Sequence, residues 1–241
     1  MTNVINFTAV IAAIGLLLNL TVIYLLLSQG KNLYHNLFAV ILLINAVWDL
    51  VILACMLRNE FQGELIVYGY ISSLACVFLL PLIFQFTCSY LGRSMVKTCL
   101  LLWFIAAEIA LLMAAGKLGR ISGVVQYSWG NFWQGDDAWR QTSLIGILVY
   151  WAMLIAGSWM VFTRLRGSEN QDRRHLLLIL VGFGGLAVAA TRVLPSMGVG
   201  WPYFLVSGIL VNDYFAALIG ISILKHALFQ QDLHQRSIFQ G

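Results

Sequence analysis

An all-α integral membrane protein is what this sequence predicts: a bundle of seven transmembrane helices with the N-terminus outside and the C-terminus in the cytoplasm. Composition is the first reason. Of 241 residues, 61% are apolar and 10% charged, whereas soluble domains average roughly 25% charged, and a water-soluble fold cannot hide that apolar excess. Second, seven stretches reach the roughly 20 apolar residues that a helix needs to cross a hydrocarbon core of about 30 Å. They are long runs, not short segments of alternating polarity, which argues against a transmembrane barrel. Third, basic residues divide unevenly. Lys31, Arg93, Lys97, Arg164, Arg166, Arg173, Arg174, Lys225 and Arg236 fall on one side, and Arg58, Lys117, Arg120 and Arg140 on the other, with Arg192 inside a span. The richer side is the expected cytoplasmic side.

The spans follow in order. The first, about 4–28, holds the apolar run from Ile11 to Leu27. It has no basic leader and is too long for a signal-peptide core, so it is read as a retained helix. The second covers about 35–57, and the third about 65–91 with Pro81 inside, where a kink is expected. The fourth is about 98–115. Next comes the one long connection, 117–140, with Tyr127, Trp129, Phe132, Trp133 and Trp139. Gly123, Gly130 and Gly135-Asp136-Asp137 break any long helix there. Short amphipathic pieces joined by turns are expected, lying as an aromatic belt at the extracytoplasmic interface; the alternative is a cap over a ligand pocket. The fifth span is about 143–163. The sixth, about 175–195, carries Gly182, Gly184 and Gly185 for close helix approach. Pro195 and Pro202 bracket the turn to the seventh, about 202–227, and 230–241 is left as a short cytoplasmic tail. The absence of an internal repeat counts against inverted-repeat transporter folds.

Several chemistries are set aside on the same grounds. The net charge of +4 reflects attraction to anionic headgroups, because no basic run carries interleaved aromatics for nucleic acid. Cys55, Cys76, Cys88 and Cys99 fall in or at the ends of spans without a C-x-x-C pair and read as small apolar residues. His35, His175, His226 and His234 lie at the cytoplasmic edge or beyond, so neither a metal nor any other cofactor is expected. Lys225 sits at the end of the last helix, not at its middle, which argues against a retinal Schiff base.

Ionisable side chains inside spans are costly and are the default functional candidates. Here they are Asp49, Glu108, Arg192 and Asp213, with Asn45 one helical turn before Asp49 and Asn212 beside Asp213. By helical rise all four lie in the middle or outer half of the membrane. They are expected to gather into one polar cluster, either locking helices together or lining a site for a small ligand, a lipid or a proton. Three acids cannot all be charged against one base in a dry interior, so one of them, Glu108 or Asp213 first, is expected to hold a proton.

Loose patterns spread over nearly the whole chain add a resemblance. They are Lys31-Asn32-Leu33 through Asn45-Ala46-Val47-Trp48, Leu79-Leu80-Pro81-Leu82-Ile83-Phe84-Gln85-Phe86, and Tyr127-Ser128-Trp129-Gly130-Asn131-Phe132. With them go Arg173-Arg174-His175, Leu194-Pro195, and a last helix from Asp213 closing in Lys225-His226-Ala227-Leu228-Phe229. In these the chain resembles the N-terminal seven-transmembrane region of bacterial sensor histidine kinases. The resemblance implies an input module of the bacterial inner membrane. In that family a kinase, cyclase or PAS domain follows the seventh helix, whereas residues 230–241 carry no phosphoacceptor helix, nucleotide-binding glycine box or cyclase motif. The expectation is therefore a non-enzymatic sensor that signals through a separate cytoplasmic or membrane-embedded output protein, surrounded by lipid, as a homodimer or in a hetero-oligomeric membrane complex. The alternatives are a structural accessory subunit of a larger membrane assembly and, third, a transporter.

Overall fold

The computed structural model describes residues 2–29, 32–57, 62–127, 130–168 and 170–239. All seven expected spans are helices: α1 (Thr2–Gln29), α2 (Leu33–Leu57), α3 (Gln62–Tyr90), α4 (Val96–Ala114), α5 (Asp137–Leu165), α6 (Asn170–Ala189) and α7 (Pro202–Phe239). Each contributes a segment long and apolar enough to cross a membrane, the sixth running from Arg173 past the end of α6 to Met197, which is the composition of a multi-pass membrane protein.

Burial sorts these uniformly apolar helices. α1 packs along α2 and α7, α6 along α7, and α3 joins α2, α4 and α5. α4 packs extensively on α3 alone, and only Ala106 and Met113 of it are buried. Large apolar side chains such as Phe104, Leu111, Ile155 and Trp159 point outward, an arrangement that suits lipid and not water. Among the described residues the interior holds two large apolar clusters and a small third one of Phe84, Cys88 and Met160. One large cluster packs Leu26, Phe38, Phe86, Phe183 and Ile219; the other packs Trp48, Leu205, Ile209, Phe132 and Trp133. Between these two, on α1, α2 and α7, lies a polar layer.

Of the three glycines expected to allow close approach, two do so. A Cβ at Gly185 would sit 2.0 Å from the Phe215 ring, and one at Gly182 would sit 2.4 Å from Ile219, whereas at Gly184 it would meet nothing within 4 Å. Gly184 faces outward. α3 continues through the buried Pro81 as one helix.

The long connection corrects the expectation of short amphipathic pieces. It is a β-hairpin, β1 (Ile121–Tyr127) and β2 (Gly130–Gly135), paired antiparallel from Tyr127↔Gly130 to Ile121↔Gly135. Val124, Val125 and Tyr127 on one strand and Phe132 and Trp133 on the other are strand formers, and only two residues join the strands. α5 also begins earlier than expected. The Asp136 side chain accepts from the Trp139 backbone N–H at 2.8 Å, an N-cap that starts the helix at Asp137.

Two further differences concern α6 and α7. α6 tightens into a 3-10 segment, Ala190–Met197, before Gly198 in a left-handed conformation ends it. Pro195 cannot donate to the helical ladder, and in a 3-10 turn residues three apart share a face, so Arg192 and Pro195 are buried together. Residues 230–239, expected as part of a tail, continue α7. No Gly or Pro interrupts the chain between Lys225 and Phe239, and the 38-residue helix is about 57 Å long.

Candidate functional site

The polar layer is built from two i, i+4 pairs and a dipeptide. α1 contributes Gly15 and Asn19, α2 Asn45 and Asp49, and α7 Asn212 and Asp213, all buried, while the 3-10 segment turns Arg192 in beside them. The Asn19 amide nitrogen donates to Asp49 Oδ2 at 2.9 Å and to Asp213 Oδ1 at 3.1 Å. One amide thus ties two carboxyls on different helices. Asn212 donates to the same Asp213 Oδ1 at 3.2 Å. Asp213 reaches this position because residue 15 has no side chain; a Cβ there would lie 1.9 Å from Asp213 Oδ2.

Arg192 has a neutral partner. Its Nη2 donates to Asn45 Oδ1 at 3.3 Å, and its guanidinium carbon stands 4.9 Å from the centre of the Trp48 ring, a cation–π distance. Among the described residues no carboxylate lies within ion-pairing distance of it. Buried polar atoms left without a partner concentrate here: Arg192 Nη1, Trp48 Nε1, Asp49 Oδ1 and Asp213 Oδ2. Native interiors leave few such groups, and each costs roughly 1–3 kcal/mol.

Five of the six candidates, Asp49, Arg192, Asp213, Asn45 and Asn212, are therefore brought together. Glu108 is not. It lies on the exposed face of α4, about 200° around the helix from the buried Ala106 at 100° per residue. Asn19 and Gly15 were missed by sequence reasoning. Asn19 is a lone amide in an apolar run, four residues after a glycine, and that spacing is the signal that could have found it.

The hairpin closes one end of this region. Trp133 is 1% and Trp139 2% exposed, so these two correct the expectation of an interfacial belt. Trp133 meets Trp48 edge-on at 5.7 Å and Trp139 meets Tyr70 at 5.8 Å. Tyr70 Oη accepts from the Ile121 N–H at 3.1 Å. Tyr127 is half-buried and donates its hydroxyl to the Pro195 carbonyl at 2.8 Å; burial raises its phenol pKa, with Arg140 opposing in part. Trp129 lies outside the described residues.

Below the hairpin a cavity of about 370 Å³ opens between α3, α4 and α5, with Trp48, Trp139, Arg192 and Asn212 on its wall. His35 differs from expectation: it is buried, with its ring stacked on Tyr34 at 4.3 Å. Tyr90 from the end of α3 meets Tyr34 edge-on at 5.5 Å and covers this first turn of α2. No group of three His, Cys, Asp or Glu fit to hold a metal occurs among the described residues.

No protein-family model matches this chain, and no curated protein does. The site's chemistry is accordingly read from its own residues. Two carboxyls joined by one amide place two proton- or cation-accepting groups on a single donor, and a buried guanidinium on a cavity wall is a donor that an acceptor oxygen can pair with.

Proposed function

We propose that the protein is a non-catalytic sensor or input module in a bacterial inner membrane, with the hairpin end facing out and α7 leading into the cytoplasm. The basic residues of the α4, α6 and α7 ends support this orientation. A small ligand, lipid or proton at the polar layer shifts the population of helix arrangements, and α7 carries the shift to a separate output protein.

The observation that supports this reading best is that Asn19 hydrogen-bonds both Asp49 and Asp213. Any change in the charge of either carboxyl is felt by α1, α2 and α7 together, and α7 extends far beyond the roughly 30 Å of a bilayer core. The test is a set of spin-label distances between the end of α7 and the end of α2, in lipid nanodiscs, as pH and lipid composition are varied. The expected result is a two-population distance distribution that changes with pH and loses that response in Asp213→Asn. An unchanging distribution in the unmodified protein would sink the proposal.

A second reading, the accessory subunit, is favoured by Glu108. A carboxylate facing outward from a span beside Phe104 and Leu111 is costly in lipid, and a partner helix with a donor would relieve that cost. Purification from the native membrane should then bring down a stoichiometric membrane partner that Glu108→Leu loses.

A further inference from the structure

We propose that the cavity between α3, α4 and α5 binds a single-chain carboxylic acid, a long-chain fatty acid by class, with its chain among the apolar residues and its carboxyl at Arg192 and Trp48. The proposal rests on the sensor reading only in making this acid the signal; the binding site stands on the cavity itself.

Three observations choose the occupant. The walls are largely apolar, and three of the four hydroxyls on them are already engaged with backbone carbonyls, Ser73 with Gly69, Thr142 with Leu118 and Tyr150 with Leu186, which leaves Ser143. Arg192 and Trp48, both on the wall, are different. They are buried, in contact with each other, and each has a nitrogen without an acceptor, Nη1 and Nε1. A carboxyl group has two acceptor oxygens for two such donors, and a guanidinium pairs with it in a geometry no alcohol or hydrocarbon reproduces. The neighbouring acids Asp49 and Asp213 each have one oxygen held by Asn19 or Asn212, and neither lies within ion-pairing distance of Arg192.

The third observation is the way in. α4 leans extensively on α3 only, and the lining includes Ile109 of α4 with Ile145 and Gly146 of α5, both of the latter exposed, so the proposed way in is sideways between α4 and α5. A Cβ at Gly146 would meet nothing within 4 Å. A ligand entering there comes from the lipid with its chain already in an apolar medium. The volume is at the small end of the roughly 300–1,000 Å³ of small-molecule sites, which fits one chain and not a two-chain phospholipid.

The test uses the full chain in detergent micelles and measures equilibrium binding of radiolabelled oleic acid, with oleyl alcohol and unlabelled oleic acid as competitors. Saturable binding of one acid per protein is expected, displaced by the acid and at least about tenfold more weakly by the alcohol. Gly146→Leu, which fills open space at the mouth, should abolish binding while leaving the fold intact, and Trp48→Phe should weaken it. Non-saturable partition equal to that of empty micelles, equal displacement by the alcohol, or unchanged binding in Gly146→Leu would each overturn the proposal. Spin-label distances at α7 on adding oleic acid keep the two readings apart: saturable binding without movement removes the sensor reading and leaves the site, and movement with pH but no saturable binding does the reverse.

Discussion

Replacing Asn19 by alanine removes two hydrogen bonds at once, 2.9 Å to Asp49 and 3.1 Å to Asp213, and the loss is unequal. Asp213 retains Asn212, whereas Asp49, whose Oδ1 is already unpartnered, loses the donor that Asn19 supplied. Interhelical hydrogen bonds in membranes average roughly 0.6 kcal/mol and reach about 1.7, so the two together should cost about 1–3 kcal/mol. The assay is reversible unfolding by SDS in mixed micelles, followed by helicity and by labelling of the fully buried Cys55 thiol. In an Asp49→Leu background the same substitution removes only the bond to Asp213, so its cost should fall by about half. An Asn19→Ala cost that is equal in the two backgrounds to within about 0.5 kcal/mol, the scatter of independent sites, would refute the shared-amide geometry.

Other substitutions check the packing that holds the site. Gly185→Ala drives a methyl into Phe215 and should destabilise by about 1–3 kcal/mol in the same SDS titration, while Gly184→Ala, with open space around it, should be neutral or slightly stabilising. Trp133→Ala empties a nearly fully buried site against Trp48 and should cost about 3–5 kcal/mol. Tyr127→Phe removes the bond to the Pro195 carbonyl and should cost about 1 kcal/mol at neutral pH. Because burial raises the Tyr127 pKa in the folded protein, that contribution is complete below the ordinary tyrosine value of about 10. It is lost as pH rises through the higher folded value, so the gap between protein and variant, read from unfolding at stepped pH, should stay constant up to about pH 10 and close above it.

The seven helices were legible because a span needs only length and apolarity, and the sequence supplies both without ambiguity. Which face of each helix turns inward was not. α4 is apolar on all sides, so nothing in its sequence says that Ala106 faces α3 and Glu108 faces away. Asp49 and Asp213 were found because a charge inside a span is conspicuous; Asn19 was lost because one neutral amide hardly lowers the hydropathy of its neighbours. The hairpin was hidden for a different reason. Its tryptophans read equally well as interfacial anchors, and only the contacts of Trp133 with Trp48 and of Trp139 with Tyr70 distinguish a plug from a belt.

The bond from Tyr127 to the Pro195 carbonyl makes the hairpin more than a cover. Pro195 and Arg192 share one face of a single 3-10 turn, and a turn that short moves as a piece. A displacement of β1 would therefore have only one side chain and three residues to cross before reaching the guanidinium. The buried cation has, in effect, a handle outside the helix bundle.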